Sequence, residues 1–94
     1  MNTKKISVIF LIARSRQNQS GRCSVRCRIT FLQQRYEFAT GLFIIPSSWN
    51  SKLQLVKPPN EENTNINNQL SLIKSKINQA FLLLQMKNTQ YYQI

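Results

Sequence analysis

Residues 22–31 read Arg-Cys-Ser-Val-Arg-Cys-Arg-Ile-Thr-Phe, an unbroken alternation of polar and apolar positions. At a period of two, Cys23, Val25, Cys27, Ile29 and Phe31 share one side of a strand, and Arg22, Ser24, Arg26, Arg28 and Thr30 share the other. The first set is a candidate core face. The second is a flat outward surface of guanidiniums and hydroxyls. Upstream, the β-branched Ile6, Val8, Ile9 and Ile12 favour a first strand over residues 5–14, and the polar segment 15–21, ending in Gly21, has the composition of a turn. Downstream, a tight turn centred on Gln33-Gln34 would set Phe31 opposite Tyr36, Ile29 opposite Phe38 and Cys27 opposite Thr40. Thr30 would then face Glu37, and Arg28 would face Ala39, on the polar side. Gln-Gln lacks the Gly or Asn that primed turns favour. Gly41 and Pro46 bound the third strand, and Thr40-Gly41 is expected to mark a bulge or turn where backbone approaches closely.

The period changes after a connecting segment from Trp49 to Pro59, which carries a short extended piece at Leu53–Val56. From Asn60 onward Ile66, Leu70, Ile73, Ile77, Phe81 and Leu84 recur at spacings of three and four, the stripe of an amphipathic helix. Asn60 or Asn63 can cap it, and Glu61 and Glu62 suit the positive end of its dipole. The stripe is a lid for the apolar face of the sheet. Leu72, Leu82, Leu83 and Met86 widen the apolar surface; a fully packed helix is the commoner cause of such a pattern, and a second contact the other. Trp49 is expected to plug the core between sheet and helix, and Asn67, polar among apolar neighbours, to make a buried hydrogen bond to the connecting segment. The fold class that emerges is α+β, a three-stranded antiparallel sheet packed on one C-terminal helix. Residues 1–57 form the sheet and connection, residues 58–94 the helix, and together they make one small domain.

Charge sharpens this picture. The chain of 94 residues has formal net charge +10, and all six arginines (Arg14, Arg16, Arg22, Arg26, Arg28, Arg35) lie between residues 14 and 35. Residues 1–57 carry +9 and residues 58–94 only +1. Guanidiniums bind phosphate bidentately and fork onto guanine edges, so a polyanion is expected at the N-terminal half. A plain solvated basic surface is the competing account; several arginines sharing one strand face weigh against it. Glu37, on that face, is placed to orient Arg28 or Arg35, or to accept from a cytosine amine. RNA-reading sheets offer aromatics for stacking, and the polar positions of this strand have none, which favours duplex DNA.

With no histidine, three acidic residues and two cysteines, the chain offers no His-based acid–base chemistry, no paired carboxylates and no metal-ligand set. No catalytic, cofactor or metal site is expected. Cys23 and Cys27, four apart on a strand, would be separated by about 13 Å at roughly 3.3 Å per residue, beyond the reach of a disulfide. They read as core thiols in a reducing cytoplasm. Lys4 and Lys5 before the apolar run 6–13 imitate a signal peptide, but the run is short and Arg14 and Arg16 stand where a mature chain would start. No run approaches the roughly 20 apolar residues of a membrane span, so no membrane contact is expected.

The order of these features resembles the N-terminal arm-type DNA-binding domain of tyrosine recombinases, the integrases of phages and conjugative transposons, in the form common in Bacteroidetes mobile elements. The resemblance rests on Gly21 before Cys-Ser-Val-Arg-Cys-Arg-Ile, on Tyr36-Glu-Phe-Ala-Thr-Gly-Leu-Phe-Ile, on Pro46-Ser-Ser-Trp-Asn, and on Ile66-Asn-Asn-Gln-Leu opening the helix. It reaches to about residue 85. Gln33-Gln34 and Trp49-Asn50 depart from the family's usual glycine in the second hairpin and Trp-Asp pair. The resemblance implies a sheet whose polar face lies in the major groove: Arg22, Ser24, Arg26, Arg28 and Thr30, with Arg35 from the neighbouring strand, while Arg14 and Arg16 reach flanking phosphates. It implies a DNA-binding module of an integrase with the catalytic domain absent, a fragment or truncated product, monomeric in isolation. Tyr91 and Tyr92 are expected to be ordinary aromatics and not strand-exchange nucleophiles. Double-stranded DNA is the expected partner, with an intact integrase or other recombination proteins as further partners. The alternative is a regulatory fragment that binds an intact integrase through its helix.

Overall fold

The computed structural model describes residues 5–92, with side chains as far as Met86. Three strands, β1 (Ile6–Gln17), β2 (Cys23–Phe31) and β3 (Gln34–Ile44), form an antiparallel sheet in the order β1-β2-β3. A 3-10 turn at Pro46–Ser48 leads to a two-residue hairpin pair, β4 (Trp49–Asn50) and β5 (Leu55–Val56), and then to the helix α1 (Glu61–Tyr92). This is the α+β arrangement expected from the pattern.

The alternation in β2 sorts side chains as predicted. Cys23, Val25 and Cys27 are fully buried, and Val8 and Phe10 of β1, Ile44 of β3, Trp49, Val56, Ile66 and Leu70 complete the core with them. Trp49 plugs that core. Both cysteines are free thiols, and burial pushes each thiol above its ordinary pKa, with Arg14 partly opposing the rise at Cys23.

Three details of the sheet correct the sequence reading. β1 runs to Gln17, past the expected end at Arg14, because a bulge between Ile12 and Gln17 lets its polar tail rejoin β2 at Cys23. The second turn is centred on Leu32-Gln33, one residue earlier than expected. Both residues have positive φ, 51° and 68°, the backbone of a primed turn whose twist matches the strands. The pairing therefore shifts by two: Ile29 faces Tyr36, Cys27 faces Phe38, Arg28 faces Glu37 and Arg26 faces Ala39. A shift of two leaves every side chain on its face, so hydrophobic parity alone could not separate the registers. Finally, β3 continues through Gly41 by a bulge between the Ser24 and Arg26 pairings. Thr40 Oγ1 donates to the Val25 carbonyl (2.7 Å) and accepts from Leu42 N–H (3.2 Å). Gly41 has φ +85°, and a Cβ there would meet nothing within 4 Å, so backbone conformation and not close approach selects glycine.

Side-chain amides tie the layers together. β1 is an edge strand, and at Phe10 its outer N–H donates to Gln54 Oε1 while its carbonyl accepts from Gln54 Nε2 (2.9 Å). One side chain thus stands in for a missing strand. Asn67 does the same for β5, accepting from Val56 N–H (2.8 Å) and donating to the Val56 carbonyl (3.1 Å). This is the hydrogen bond to the connecting segment expected of Asn67. Asn60 caps α1, its Oδ1 accepting from Asn63 N–H (2.7 Å), and Asn63 Nδ2 donates to the Pro58 carbonyl (2.8 Å).

α1 lies along the core face from the Arg22 end of β2 to the Phe31 end, where Phe81 meets Phe31 edge to face at 5.0 Å. Ile73 and Ile77 pack against the core as predicted. Leu84 does not: it is 60 % exposed, and Leu72, Leu82, Leu83 and Met86 are also exposed, so the helix is not packed all round. The helix overshoots the sheet. Its 32 residues run for about 48 Å at 1.5 Å per residue, whereas the 9 residues of β2 cover only about 30 Å.

Replacing Asn67 by Leu strands the Val56 amide and carbonyl, and is expected to cost about 1–3 kcal/mol, read as a fall in melting temperature. Asn68→Leu, at an exposed position, is the control and should stay within about 0.5 kcal/mol. Equal melting temperatures would show that the amide clasp adds no stability. Trp49→Ala should cost about 3–5 kcal/mol, and the native tryptophan emission should lie to the blue of the unfolded chain's.

Candidate nucleic-acid interface

The face of the sheet opposite α1 is uncovered, and the two ladders set its side chains in rows. Ser7, Thr30 and Arg35 form one row, Ile9, Arg28 and Glu37 the next, and Leu11, Arg26 and Ala39 the third. Beyond the β3 bulge, Ser24 stands beside Phe43. The central strand therefore contributes Arg26, Arg28, Ser24 and Thr30 to one surface, with Arg35 alongside.

Glu37 joins the two central arginines. Its Oε2 accepts from Arg28 Nε at 2.8 Å and its Oε1 from Arg26 Nε at 3.5 Å. The Arg28 hydrogen bond, with the neighbouring positive charges, holds the Glu37 carboxyl below its ordinary pKa, so it is ionised at neutral pH. Each contact uses Nε, and the Nη atoms of both guanidiniums engage no protein group among the described residues. Two end-on forks thus stand open, the geometry for bidentate contact with a phosphate or a guanine edge. Of the roles expected for Glu37, orienting Arg28 is seen; it binds Arg26 as well, and not Arg35.

The other basic residues are placed differently. Arg22 reaches away to the start of α1, where Nη1 meets Glu62 Oε2 at 3.1 Å. Arg14 Nη1 donates to the Pro46 carbonyl at 3.2 Å, beside the 3-10 turn. Arg16 and Arg35 are exposed, and no carboxylate lies within ion-pair distance of either among the described residues. The structure thus brings Ser24, Arg26, Arg28, Thr30 and Arg35 together, while Arg22 and Arg14 each spend a guanidinium N–H on another part of the fold.

Sequence reasoning missed the apolar members of this face. Ile9 is 36 % exposed beside Arg28, and Phe43 is 46 % exposed beside Ser24. β1 reads as one apolar run, which hides that Ile9 and Leu11 alternate away from Val8 and Phe10. Phe43 keeps the outward parity of Glu37 and Ala39 across the bulge at Gly41, but within the apolar run 42–45 it does not read as part of a polar face. Among the described residues no cluster of His, Cys, Asp and Glu could hold a metal ion, and no helix is long and apolar enough to cross a membrane.

A family model described as an arm DNA-binding domain matches residues 10–93. No curated protein and no solved structure matches the chain.

Proposed function

The chain belongs to the arm DNA-binding domain family of tyrosine-recombinase-type integrases, and from that premise we propose that duplex DNA lies against the sheet face opposite α1, with β2 in the major groove. An arm DNA-binding domain is a non-catalytic module. Residues 1–57 supply the reading sheet and residues 58–94 its support, and strand-exchange chemistry is the work of other parts of a recombinase. The module acts in the cytoplasm, where its buried thiols stay reduced.

The observation that carries this reading is the pair of open guanidinium forks, Arg26 and Arg28, at the centre of an uncovered sheet face. The outer strands lie about 10 Å apart at roughly 4.8 Å per strand, within the ~12 Å width of a B-form major groove. Ser24, Thr30 and Arg35 surround the pair and suit sugar and phosphate oxygens. Arg16 reaches a flanking phosphate, and Arg14 and Arg22 add positive potential from the periphery while serving their protein partners. Ile9, beside Arg28, suits contact with a thymine methyl.

The leucines exposed beyond the sheet at 82–84 favour a second contact, between the helix and an intact integrase. It uses another surface and is separable: Leu83→Ser would leave DNA affinity unchanged.

The DNA reading is tested by the slope of log affinity against log salt, to which each neutralised phosphate contributes about −0.9. Replacing Arg26 and Arg28 together by Ala should flatten that slope by up to about two units if both touch phosphate. If either reads a base, its loss should relax sequence preference by roughly 1–3 kcal/mol per contact. Replacing Lys74 and Lys76 of α1, on the other layer, should change neither. Equal losses from the two double variants would mean that binding follows net charge, and the groove-reading sheet would be wrong.

A further inference from the structure

A carboxylate at the middle of a DNA-binding surface needs a reason. Glu37 is the one acidic residue on the solvent face of the sheet among the described residues, and it sits in the central row, opposite Arg28. For generic attraction to a polyanion it is a defect: it neutralises one of the guanidiniums beside it and repels phosphate. Its contribution to stability is small, since it is exposed and exposed ion pairs contribute little. Its geometry suggests a different use. By accepting from Nε of both arginines, one carboxylate fixes two flexible side chains at a set separation, with their Nη ends left open.

We propose that Glu37 is a specificity-determining positioning residue, which holds Arg26 and Arg28 as a paired fork for guanine edges and weakens phosphate-only docking of the same two side chains. The inference rests on the reading of this face as the DNA surface. Two effects act in the same direction. Fixing the forks removes rotamer freedom that each arginine would otherwise lose on binding, and a preorganised end-on fork matches the O6 and N7 acceptors of guanine. The carboxylate also discourages the arginines from swinging to the backbone, because doing so abandons an ion pair that guanine recognition through Nη leaves intact. Arg26 and Arg28 are two residues apart on one strand, about 6.6 Å at roughly 3.3 Å per residue. That is close to the ~6.8 Å covered by two base-pair steps at about 3.4 Å each. The ligand class is therefore duplex DNA with two guanines within about two steps of one another.

The test uses a random pool of 20-base-pair duplexes and three proteins: the native chain, Glu37→Gln and Glu37→Asp. Native protein should enrich paired guanines over rounds of selection. Glu37→Gln, with an unchanged melting temperature, should bind the unselected pool more tightly, with a salt slope steeper by about one unit or more. Its preference for selected over unselected duplex should fall by roughly tenfold, the scale of one bidentate base contact. Glu37→Asp keeps the charge but reaches less far, and should retain the weak affinity for unselected DNA while losing part of the preference. The proposal is overturned if native protein enriches no guanine pair, if Glu37→Gln keeps the native preference, or if it weakens selected and unselected duplex alike. Failure of the underlying reading has a different signature: the Arg26/Arg28 double variant would then bind the unselected pool as native protein does, whatever Glu37 does.

Discussion

The two-residue turn at Leu32-Gln33 fixes the pairing of β2 with β3, and through it the make-up of the exposed face. A primed turn brings Gln34 opposite Phe31 and sets every pair as far as Arg26 and Ala39, where the bulge begins. One residue later, the same strands would place Ala39 beside Arg28 and Glu37 beside Thr30, with the same core. The observed register instead sets a carboxylate directly opposite a guanidinium, a cross-strand pair of the kind that stabilises a hairpin by about 0.2–1 kcal/mol. Core packing is indifferent between the two alignments, so polar contacts and turn twist choose between them, and the choice governs what the face can recognise.

A sheet of three strands with a single helix has little material to cover its own edges, and here carboxamides fill that need. Gln54 completes the edge of β1, Asn67 completes β5, and Asn60 and Asn63 close the start of α1 on the chain before it. An amide suits this role because it carries a donor and an acceptor side by side, as a peptide group does. It also adds no charge to a chain already at +10. Every buried side-chain polar atom among the described residues has a partner. The helix is thus held to the connecting segment by directional bonds at its start, and to the sheet by Ile66, Leu70, Ile73 and Ile77 in the core and by Phe81 on Phe31. Beyond Phe81, Leu82, Leu83, Leu84 and Met86 are exposed.

Period-two alternation identified β2 and its two faces, and the 3–4 spacing identified α1, because burial on one side leaves a direct imprint on residue type. Asn67 was legible for a related reason, since a polar side chain inside an apolar stripe has to find a partner. What the pattern could not supply were features set by counting residues in turns and bulges. The register at Leu32-Gln33, the bulge at Gly41 that pairs Phe43 with Ser24, and the extension of β1 to Gln17 each depend on backbone dihedrals that leave hydrophobicity unchanged. The end of the packed stripe was hidden as well: Leu84 continues the helical period, and only the length of the sheet shows that nothing lies beneath it. For the candidate site, alternation supplied Ser24, Arg26, Arg28 and Thr30, but the partners of Arg22 and Arg14 come from elements distant in sequence.

Those partners change what the charge of this protein means. Six arginines in one short stretch look like a uniform basic patch, yet they divide by what each donates to. Arg22 spends its charge on Glu62 at the start of the helix, and Arg14 lends a donor to the Pro46 carbonyl. Arg26 and Arg28 share one carboxylate and keep their Nη ends open, and Arg16 and Arg35 are unpaired with any described carboxylate. The net charge sets long-range attraction to a polyanion and its sensitivity to salt. Discrimination between sequences requires hydrogen-bonding groups in fixed positions, and a held guanidinium is one of them. On this surface the residue that holds two guanidiniums is an acid, so the local charge is lower where their Nη ends stand open.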